Sequence, residues 1–481
     1  MDSKKAKIIS TVSVIALAAI LVGATYAYFQ AQTGEGSQTD IKINANTVDT
    51  FTFETGDPLS INLNQENFAS GKGNQTGSTY AKAILTANNK TNSATDKYYL
   101  YLNISDNTFV YSQNKDTPEI LLTIKDGNNT ELTKVSGLTS TTYKTVTDGN
   151  GNTISGFDIT NKKGLITILN NREITTASTT EETWNVTVTF INYNFNQAEN
   201  AGKNFNAELI IQKDEIPTSL SKVCISGDLL ADCIIAYANK SLPSVSSIYH
   251  HDANLTNGAN DDSYRFSGSG PWNYILINKN YYRIIGVING RVKLISLATI
   301  DNMPWNNSST STWAQSSVNA YLNDTYLNQL GDLKDNIDTS VWKVGENINI
   351  DHILHNNPYG AYQNEVINPT DTTTYSAKIG LMYVSDYGFA AEPKAWALSM
   401  SDYNDALATK NNWMYLKKNE WTISSLNLSE KYYINNDGGI RENASPDDST
   451  FSIRPVFYLS SNVKYLGGSG IPGQQPITIS Y

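Results

Sequence analysis

Apolar and polar residues alternate along the chain from Asp40 to about Ile216. A period of two is typical of β-strands with one buried face. The runs that show it are Ile41–Asn44, Thr50–Phe53, Leu59–Leu63, Tyr80–Leu85, Tyr98–Ile104, Ile120–Ile124, Gly164–Leu169, Trp184–Ile191 and Ala207–Ile211. Asp126–Asn129 and Asp148–Asn152 have the Asp, Asn and Gly composition of hairpin turns. Many short strands without a helical period predict a β-sandwich.

From Ser219 onward the pattern mixes helical and strand periods. Leu229–Ala238 is predicted to be a helix. Residues 314–330 carry apolar side chains at helical spacing, and Ser311 or Thr312 is placed to cap that second helix. The mixture favours an α+β domain after the sandwich.

The predicted strands of this second region are short and widely separated. Tyr281–Val287 and Arg291–Ser296 flank Asn289 and Gly290, which predicts a hairpin with a tight turn. The later strands are expected at Trp421–Ile423, Lys431–Ile434 and Ile453–Leu459. Long irregular stretches between them favour a loop-rich domain suited to surface recognition.

The N-terminus has the three-part pattern of a secretory signal. Three lysines within the first seven residues precede an apolar run, Ile8–Ala27. Thr25 and Ala27 provide the small residues of a signal-peptidase site, so cleavage is predicted between Ala27 and Tyr28. The run is also long enough to cross about 30 Å of hydrocarbon, so a retained membrane anchor is the alternative. Both predict export of the rest of the chain by a Sec-type route.

Charge and cysteine content narrow the classes of function. The chain has 35 Lys and Arg against 46 Asp and Glu, a formal net charge of −11, which argues against a nucleic-acid partner. Its two cysteines are Cys224 and Cys233. On a straight helix they lie too far apart to be joined, but a break at Gly227 allows closure. An oxidising compartment favours a disulfide, with free buried thiols as the alternative.

Several short motifs recur together in one protein group. They are Ala24–Phe29, Tyr282–Val287, Ser311–Trp313, Tyr321–Asn323, Trp342–Gly345, Lys378–Tyr387, Asn412–Met414, Glu420–Ile423 and Arg454–Leu459. As a set they resemble uncharacterised exported surface proteins of Firmicutes and related low-GC bacteria. The signal, and in pattern the sandwich, also resemble the camelysin/TasA type, which implies assembly on cell surfaces.

The C-terminal motifs resemble a second, larger group. The order of Trp421, Tyr433–Gly438 and Arg454–Phe457 is similar to the end of domains in the formylglycine-generating-enzyme/C-type-lectin superfamily. The resemblance implies a C-type-lectin-like α+β fold. Formylglycine-generating enzymes bind copper through a cysteine pair, and residues 250–481 contain no cysteine, so that oxidase chemistry is not predicted.

The predicted fold class is therefore mainly β plus α+β. Residues 1–29 are expected to be a signal peptide or membrane anchor, and residues 30–216 a β-sandwich domain. Residues 217–245 are expected to be a linker with a short helix, and residues 246–481 a C-type-lectin-like α+β domain. The sandwich and the C-terminal domain are expected to fold independently.

One loop is the best candidate for a cation site. Oxygen-bearing side chains recur there at short intervals, as Ca²⁺ prefers. They belong to Asp252, Asn254, Asn257, Asp261 and Asp262. The glycine and the final ligand depart from the EF-hand pattern, so a plain Asn/Asp turn is the alternative. No other cofactor is expected, because the histidines lack the spacing of a zinc protease.

Tryptophan is dense in the C-terminal domain, and two interpretations of this stay open. Exposed indole rings stack on the apolar faces of sugars, and the ligand-binding candidates are Trp396, Trp413 and Trp421. The alternative is that most tryptophans form the core of a loop-rich domain. The sequence shows no nucleophile motif, although a pair of carboxylates as in glycosidases stays open.

The functional prediction is an extracellular or cell-surface protein with a structural or adhesive role. Its C-terminal domain is expected to bind a glycan or a surface protein without catalysis. The expected partners are cell-envelope or matrix components and the signal peptidase, with membrane contact only through the N-terminal helix. The alternative is a surface hydrolase that acts on glycan or peptide.

Overall fold

The computed structural model describes residues 49–68, 72–88, 93–308, 311–347, 353–443, 446–447 and 449–481. The predicted signal with Ala27 and Tyr28, and the predicted strand Ile41–Asn44, lie outside these residues. In the part of the chain that is described, no helix is long and apolar enough to span a membrane. The chain divides into two compact units, with the boundary between Glu215 and Ile216. We call them the N-terminal unit and the C-terminal unit.

The N-terminal unit consists of two antiparallel sheets. The strands are β1 Thr50–Thr55, β2 Leu59–Asn62, β3 Gln75–Thr86, β4 Ala94–Asn107, β5 Ile120–Asp126, β6 Tyr143–Thr147, β7 Thr153–Asp158, β8 Gly164–Thr176, β9 Thr179–Phe190 and β10 Asn204–Gln212. One sheet has the order β1-β3-β9-β5-β7-β6 and the other β2-β10-β4-β8. Short 3₁₀ helices lie at Gln65–Phe68, Ser140–Thr142 and Ala198–Asn200.

A single hydrophobic core joins the two sheets of this unit. In β3 the buried residues are Ala81, Ala83 and Leu85, while the side chains between them face outward. They share a core cluster with Leu100 and Leu102 of β4 in the other sheet. The alternation read from the sequence therefore accounts for the predicted sandwich, because strands such as β3 and β10 bury every second side chain.

The sequence pattern missed one hairpin of this unit. Strands β6 and β7 pair between Tyr143–Thr147 and Thr153–Asp158, and Asp148–Asn152 forms the turn. The side chain of Asp148 accepts hydrogen bonds from the Asn150 and Asn152 backbone amides at 2.9 and 2.8 Å. The turn was predicted from its composition, but the flanking strands are too polar for the alternation to stand out.

The C-terminal unit contains two larger sheets and two small ones. Its strands are β11 Ile248–His251, β12 Ser263–Phe266, β13 Tyr274–Ile277, β14 Asn280–Ile288, β15 Arg291–Ser296, β16 Asp301–Met303, β17 Ser340–Lys343, β18 Thr374–Ala377, β19 Ile379–Gly380, β20 Glu420–Ser425, β21 Lys431–Ile434, β22 Ile440–Asn443, β23 Phe451–Ile453, β24 Val456–Tyr458, β25 Lys464–Gly467 and β26 Thr478–Ser480. The seven-stranded sheet has the order β11-β12-β14-β15-β24-β19, with β13 paired to β14, and the five-stranded sheet has the order β16-β23-β20-β21-β22. The two small sheets are the pairs β17-β18 and β25-β26. Together the two units confirm the predicted fold class, mainly β with α+β.

The helices of the C-terminal unit are short. α-Helices lie at Leu230–Lys240, Pro243–Ser246, Ser317–Ala320, Leu327–Gln329, Pro358–Tyr362, Val384–Phe389 and Ala406–Lys410. π-Helical segments lie at Tyr321–Tyr326 and Gln363–Ile367, and 3₁₀ helices at Leu220–Lys222, Trp313–Gln315, Gly331–Asn336, Pro393–Ala397 and Met400–Asp402. The helix predicted over residues 314–330 is thus a series of four segments. The predicted cap Thr312 is the N-cap of the first segment, and the Ser316 hydroxyl accepts a hydrogen bond from the Asn319 amide at the start of the second.

The hairpin of β14 and β15 follows the sequence prediction. The two strands are joined by Asn289 and Gly290, whose φ angles are 51° and 70°. Two successive residues with positive φ make the tight turn that suits the twist of a hairpin. Asn and Gly tolerate that conformation better than other residues, so the local sequence suffices to set it.

The predicted strand Ile453–Leu459 is divided between two sheets. Strand β23 ends at Ile453 and lies in the five-stranded sheet, whereas β24 begins at Val456 in the larger sheet. Pro455 lies between them and has no amide hydrogen to donate, so it interrupts the ladder. Arg454 is buried at this break, and its Nε donates to Oε1 of Glu420 at 2.5 Å.

The expected linker at residues 217–245 belongs to the C-terminal unit. Its helix, Leu230–Lys240, buries Leu230, Ile234 and Tyr237 in the core of that unit, so the segment is not a free linker. Cys224 and Cys233 form a disulfide with their Cα atoms 5.5 Å apart. The chain reverses at Gly227, whose φ is 104°, before the helix begins, and this break brings the cysteines together.

Candidate functional site

The three tryptophans predicted to bind a ligand are buried. The exposed fractions of Trp396, Trp413 and Trp421 are 0%, 5% and 0%. Their indole N–H groups donate to backbone carbonyls, at 2.9 to 3.0 Å, of Ala391, Phe266 and Met303 respectively. Rings enclosed on both faces cannot stack on a sugar at the surface. The prediction of a ligand-binding role is therefore corrected, and the three residues form core.

The predicted cation loop is an Asx-type turn at its beginning. Oδ1 of Asp252 accepts hydrogen bonds from the backbone amides of Asn254 and Leu255 at 2.9 and 3.1 Å. Asn257 and Asp262 have φ angles of 56° and 57°, which fits turn residues of the Asn and Asp type. The Asp252 side chain thus stabilises the chain reversal, and Asn257 and Asp262 occupy left-handed backbone positions in the loop.

The remaining acidic residue of that loop, Asp261, is paired with the buried guanidinium of Arg265. Its Oδ2 accepts a hydrogen bond from Arg265 at 3.0 Å and one from the Tyr362 hydroxyl at 2.6 Å. Burial opposes ionisation, but Arg265 and the hydrogen bonds from Ser263 and Tyr362 outweigh it and hold the pKa of Asp261 well below its usual range. Within the described residues, no group of three or more His, Cys, Asp or Glu is arranged to hold a metal ion. Asp252 therefore acts in a turn and Asp261 in an ion pair, and binding of Ca²⁺ by this loop stays a prediction.

Arg265 belongs to a buried charge cluster that the sequence did not reveal. Arg265 Nη1 lies 3.2 Å from Oδ1 of Asp386, and Lys293 Nζ lies 2.5 Å from Oδ2 of the same carboxylate. The side chains of Arg265, Lys293 and Asp386 are 2% to 3% exposed. Asp386 also accepts the Tyr383 backbone amide at 3.0 Å, at the start of the helix Val384–Phe389. The cluster fixes that helix against β12 and β15.

A second buried carboxylate, Glu365, reaches the same helix start. Its two oxygens accept the backbone amides of Val384 and Ser385, each at 3.0 Å, and the Ser424 hydroxyl donates to it as well. Burial raises the pKa of Glu365 to about 7, against the opposing effect of the hydrogen bonds from Ser424 and Ser385; the charge of Asp386 raises it further. Since Glu365 is buried, it does not meet a substrate, and its role is structural.

The raised pKa of Glu365 predicts a pH-dependent stability. The pKa of the Glu365 carboxyl is 4.5 in the unfolded chain and about 7 in the folded protein. The folded protein therefore has the full stabilisation from protonated Glu365 below pH 4.5, and it loses this stabilisation as the pH rises through 7. Each pKa unit is worth about 1.4 kcal/mol, so the loss is at most about 3.5 kcal/mol. Urea unfolding at pH 5 and pH 7.5 should show it. Glu365→Gln should flatten the dependence, and an equal pH dependence in both proteins would contradict the assignment.

An open cavity of about 410 Å³ lies at one end of the five-stranded sheet. In the described part of the chain, every side chain that lines it carries an amide, hydroxyl or ammonium group. The lining residues are Asn302, Lys417, Lys418, Asn419, Asn436, Thr450 and Ser452. They come from four separate stretches of the chain, which explains why no motif in the sequence indicated this site.

Strand pairing brings the lining residues of the cavity together. Asn302 of β16 lies opposite Ser452 of β23, and the Ser452 hydroxyl donates to Asn302 Oδ1 at 2.6 Å. The Ser452 amide also donates to the Asn419 carbonyl at 2.9 Å, next to the parallel pairing of β20 and β23. The Asn419 side chain accepts the Asn436 amide at 2.9 Å. The floor of the cavity is therefore fixed by backbone and side-chain hydrogen bonds.

The two lysines form the charged side of the cavity. Lys418 Nζ donates to Thr299 Oγ1 at 3.0 Å, which orients the ammonium group. Lys417 has a φ of 56°, a left-handed conformation that is uncommon for a residue with a Cβ atom. Both side chains are exposed. The arrangement offers hydrogen-bond donors to a polar molecule from solution.

Comparisons with known proteins do not assign the chain to a family. A comparison of the chain with protein-family models found no match, and a comparison with curated proteins found none either. The functional argument therefore rests on the residues and their arrangement.

Proposed function

We propose that the protein is an exported surface protein whose C-terminal unit binds a glycan in the cavity that Asn302, Ser452 and their neighbours line. The observation that carries the proposal is the lining of that cavity, which consists of polar hydrogen-bonding side chains. Sugar hydroxyls both donate and accept hydrogen bonds, and Asn, Ser and Thr side chains match both roles. The floor of the cavity is held by strand pairing, so the site is formed before the ligand arrives.

The lining supports binding over hydrolysis. Glycosidases of the common type use two carboxyl groups that flank the bond to be cleaved. Among the described residues that line the cavity, none is Asp or Glu. Of the buried glutamates and aspartates in the described part of the unit, Glu365 and Asp386 are committed to the start of the helix Val384–Phe389, and Glu420 is paired with Arg454. A surface hydrolase is therefore the less supported alternative.

The rest of the proposal follows from the sequence. The signal-like N-terminus with Ala27 and Tyr28 supports export and a location at the cell surface or outside the cell. The β-sandwich supports a structural role, in which it presents the C-terminal unit to cell-envelope or matrix components. The resemblances to exported Firmicutes proteins and to the C-type-lectin superfamily are consistent with an adhesive function, with weak single contacts strengthened by repetition on a surface.

Blocking the cavity tests the proposal. Thr450 is exposed at its rim, and Thr450→Trp would fill the entrance with an indole ring. We expect the full-length protein to bind some polysaccharide on a glycan array saturably and without product release, and we expect Thr450→Trp to reduce that binding at least about tenfold, the equivalent of about 1.4 kcal/mol. Thr372→Trp places the same ring at an exposed position outside the cavity and serves as the control. Equal binding by both variants would refute this location, and turnover of the glycan would refute the binding role.

A further inference from the structure

The charged groups around the cavity have a consistent sign. Lys417 and Lys418 place two ammonium groups at its edge, and the lining residues that the structure describes include no carboxylate. The chain as a whole carries a net charge of −11. Two adjacent lysines at one cavity therefore differ in sign from the charge of the protein as a whole. A locally positive site on an acidic protein points to a ligand that carries negative charge.

The acidic residues next to the lining positions are engaged elsewhere. Three carboxylates directly adjoin lining residues in sequence, and each has a partner. The pairs are Asp301 with Tyr321, Glu420 with Arg454 and Asp437 with Arg441. Of these, Glu420 is buried and lies 2.5 Å from Arg454, its main counter-charge, and Lys418 acts on it as well. Asp437 is paired with Arg441, whereas the neutral Tyr321 hydroxyl leaves the charge of Asp301 in place. Two of the three neighbouring carboxylates therefore have an arginine as partner.

The backbone holds one of these lysines in an unusual conformation. Residues with positive φ are mostly Gly, Asn and Asp, and a lysine there marks a position at which the surrounding structure imposes the geometry. Lys417 has this conformation with a φ of 56°, and Lys418 follows it with its ammonium group oriented by Thr299. Strained residues of this kind cluster at ligand sites.

From this geometry we infer that the glycan bound in the cavity is acidic, with a carboxylate or phosphate group held by Lys417 and Lys418. The inference rests on the proposed function and adds the chemical class of the ligand. A lysine ammonium group is a compact charge that suits a single anionic group, while Asn302, Asn419 and Asn436 supply the hydrogen bonds for neighbouring hydroxyls. The charge would also speed the encounter with an anionic polymer, since such attraction acts over about 8 Å at physiological ionic strength.

The test compares three polymers with the full-length protein. Polygalacturonate carries carboxylates, poly(glycerol phosphate) carries phosphodiesters, and dextran is neutral. We expect saturable binding to at least one of the two acidic polymers, weaker binding to dextran, and a loss of affinity as the salt concentration rises. Lys417→Gln with Lys418→Gln should weaken binding of the acidic polymer about tenfold or more, because charge-assisted hydrogen bonds are the strong ones.

The control removes the same charge at another place in the same unit. Lys394 and Lys410 are exposed and do not line the cavity, so Lys394→Gln with Lys410→Gln should leave binding within about twofold, as expected for distant rim charges. Lys417→Arg with Lys418→Arg should retain most of the affinity. Equal losses from both glutamine pairs would overturn the site assignment. Binding of dextran that the lysine changes do not affect would overturn the acidic ligand and leave the proposed function standing, whereas failure of all polysaccharides to bind would overturn both.

Discussion

Asp386→Asn is expected to destabilise the C-terminal unit by about 3–5 kcal/mol, because it leaves buried cations without their carboxylate. Asp386 is the shared partner of Arg265 and Lys293, and all three side chains are almost completely enclosed. Arg265 keeps Asp261 as a partner, but Lys293 then faces the rings of Trp342 and Tyr383 without a counter-ion. Tryptophan fluorescence during urea unfolding reports this unit, since of the eight tryptophans only Trp184 precedes Ile216.

A second ion pair provides the control for Asp386→Asn. Asp338 and Arg291 are 3.5 Å apart, with side chains 32% and 27% exposed, so Asp338→Asn should cost about 1 kcal/mol or less. Lys293→Met combined with Asp386→Asn removes both the charge and its partner, and should recover part of the lost stability. A loss of less than about 1 kcal/mol for Asp386→Asn alone would show that the buried cluster does not stabilise the fold.

Trp421→Ala should lower the free energy of unfolding by a similar amount, about 3–5 kcal/mol, because it removes a large ring from a close-packed site. The ring of Trp421 is fully buried, with its centroid 4.5 Å from that of Phe451 and 5.8 Å from that of Trp305. Its N–H also donates to the Met303 carbonyl at 3.0 Å, so that carbonyl would lose its partner. Circular dichroism during urea unfolding measures the change.

Two further variants separate packing from a surface role for Trp421. Trp421→Phe keeps most of the ring and should cost clearly less than the alanine change. Trp272 is 45% exposed, so Trp272→Ala should stay within about 1 kcal/mol of the unmodified protein. If Trp421→Ala and Trp272→Ala were equally mild, Trp421 would not be a core residue.

The elements that the sequence predicted well are those whose cause is local. The β14–β15 hairpin follows from Asn289 and Gly290, whose conformational tolerance sets the turn wherever the strands end up. The strands of the sandwich follow from alternation, as β3 shows with its regularly buried positions. Where the local signal was polar, as in β6 and β7, only the pairing of β7 with β5 and of β6 with β7 reveals the strands.

The elements that were wrong in the sequence prediction depend on distant contacts. The mostly apolar sequence of residues 453–459 predicted one strand, but Pro455 and the Arg454–Glu420 pair divide the segment between two sheets. Residues 217–245 were expected to be a linker with a short helix; the helix is present as Leu230–Lys240, but it packs in the core. Composition cannot distinguish an apolar face that packs from one that stays in solution.

Sequence alone determined the β-rich class, the sandwich, the tight turns and the expectation of export, because each depends on neighbours within a few residues. Tertiary structure decided the site. Asn302, Lys417–Asn419, Asn436 and Ser452 are far apart in the chain, and only the pairing of β16, β23 and β20 brings them to one cavity. It likewise decided that Trp421 packs inside, since an indole ring has the same sequence signal in a core as on a binding surface. Burial is a property of the whole fold, and no local pattern contains it.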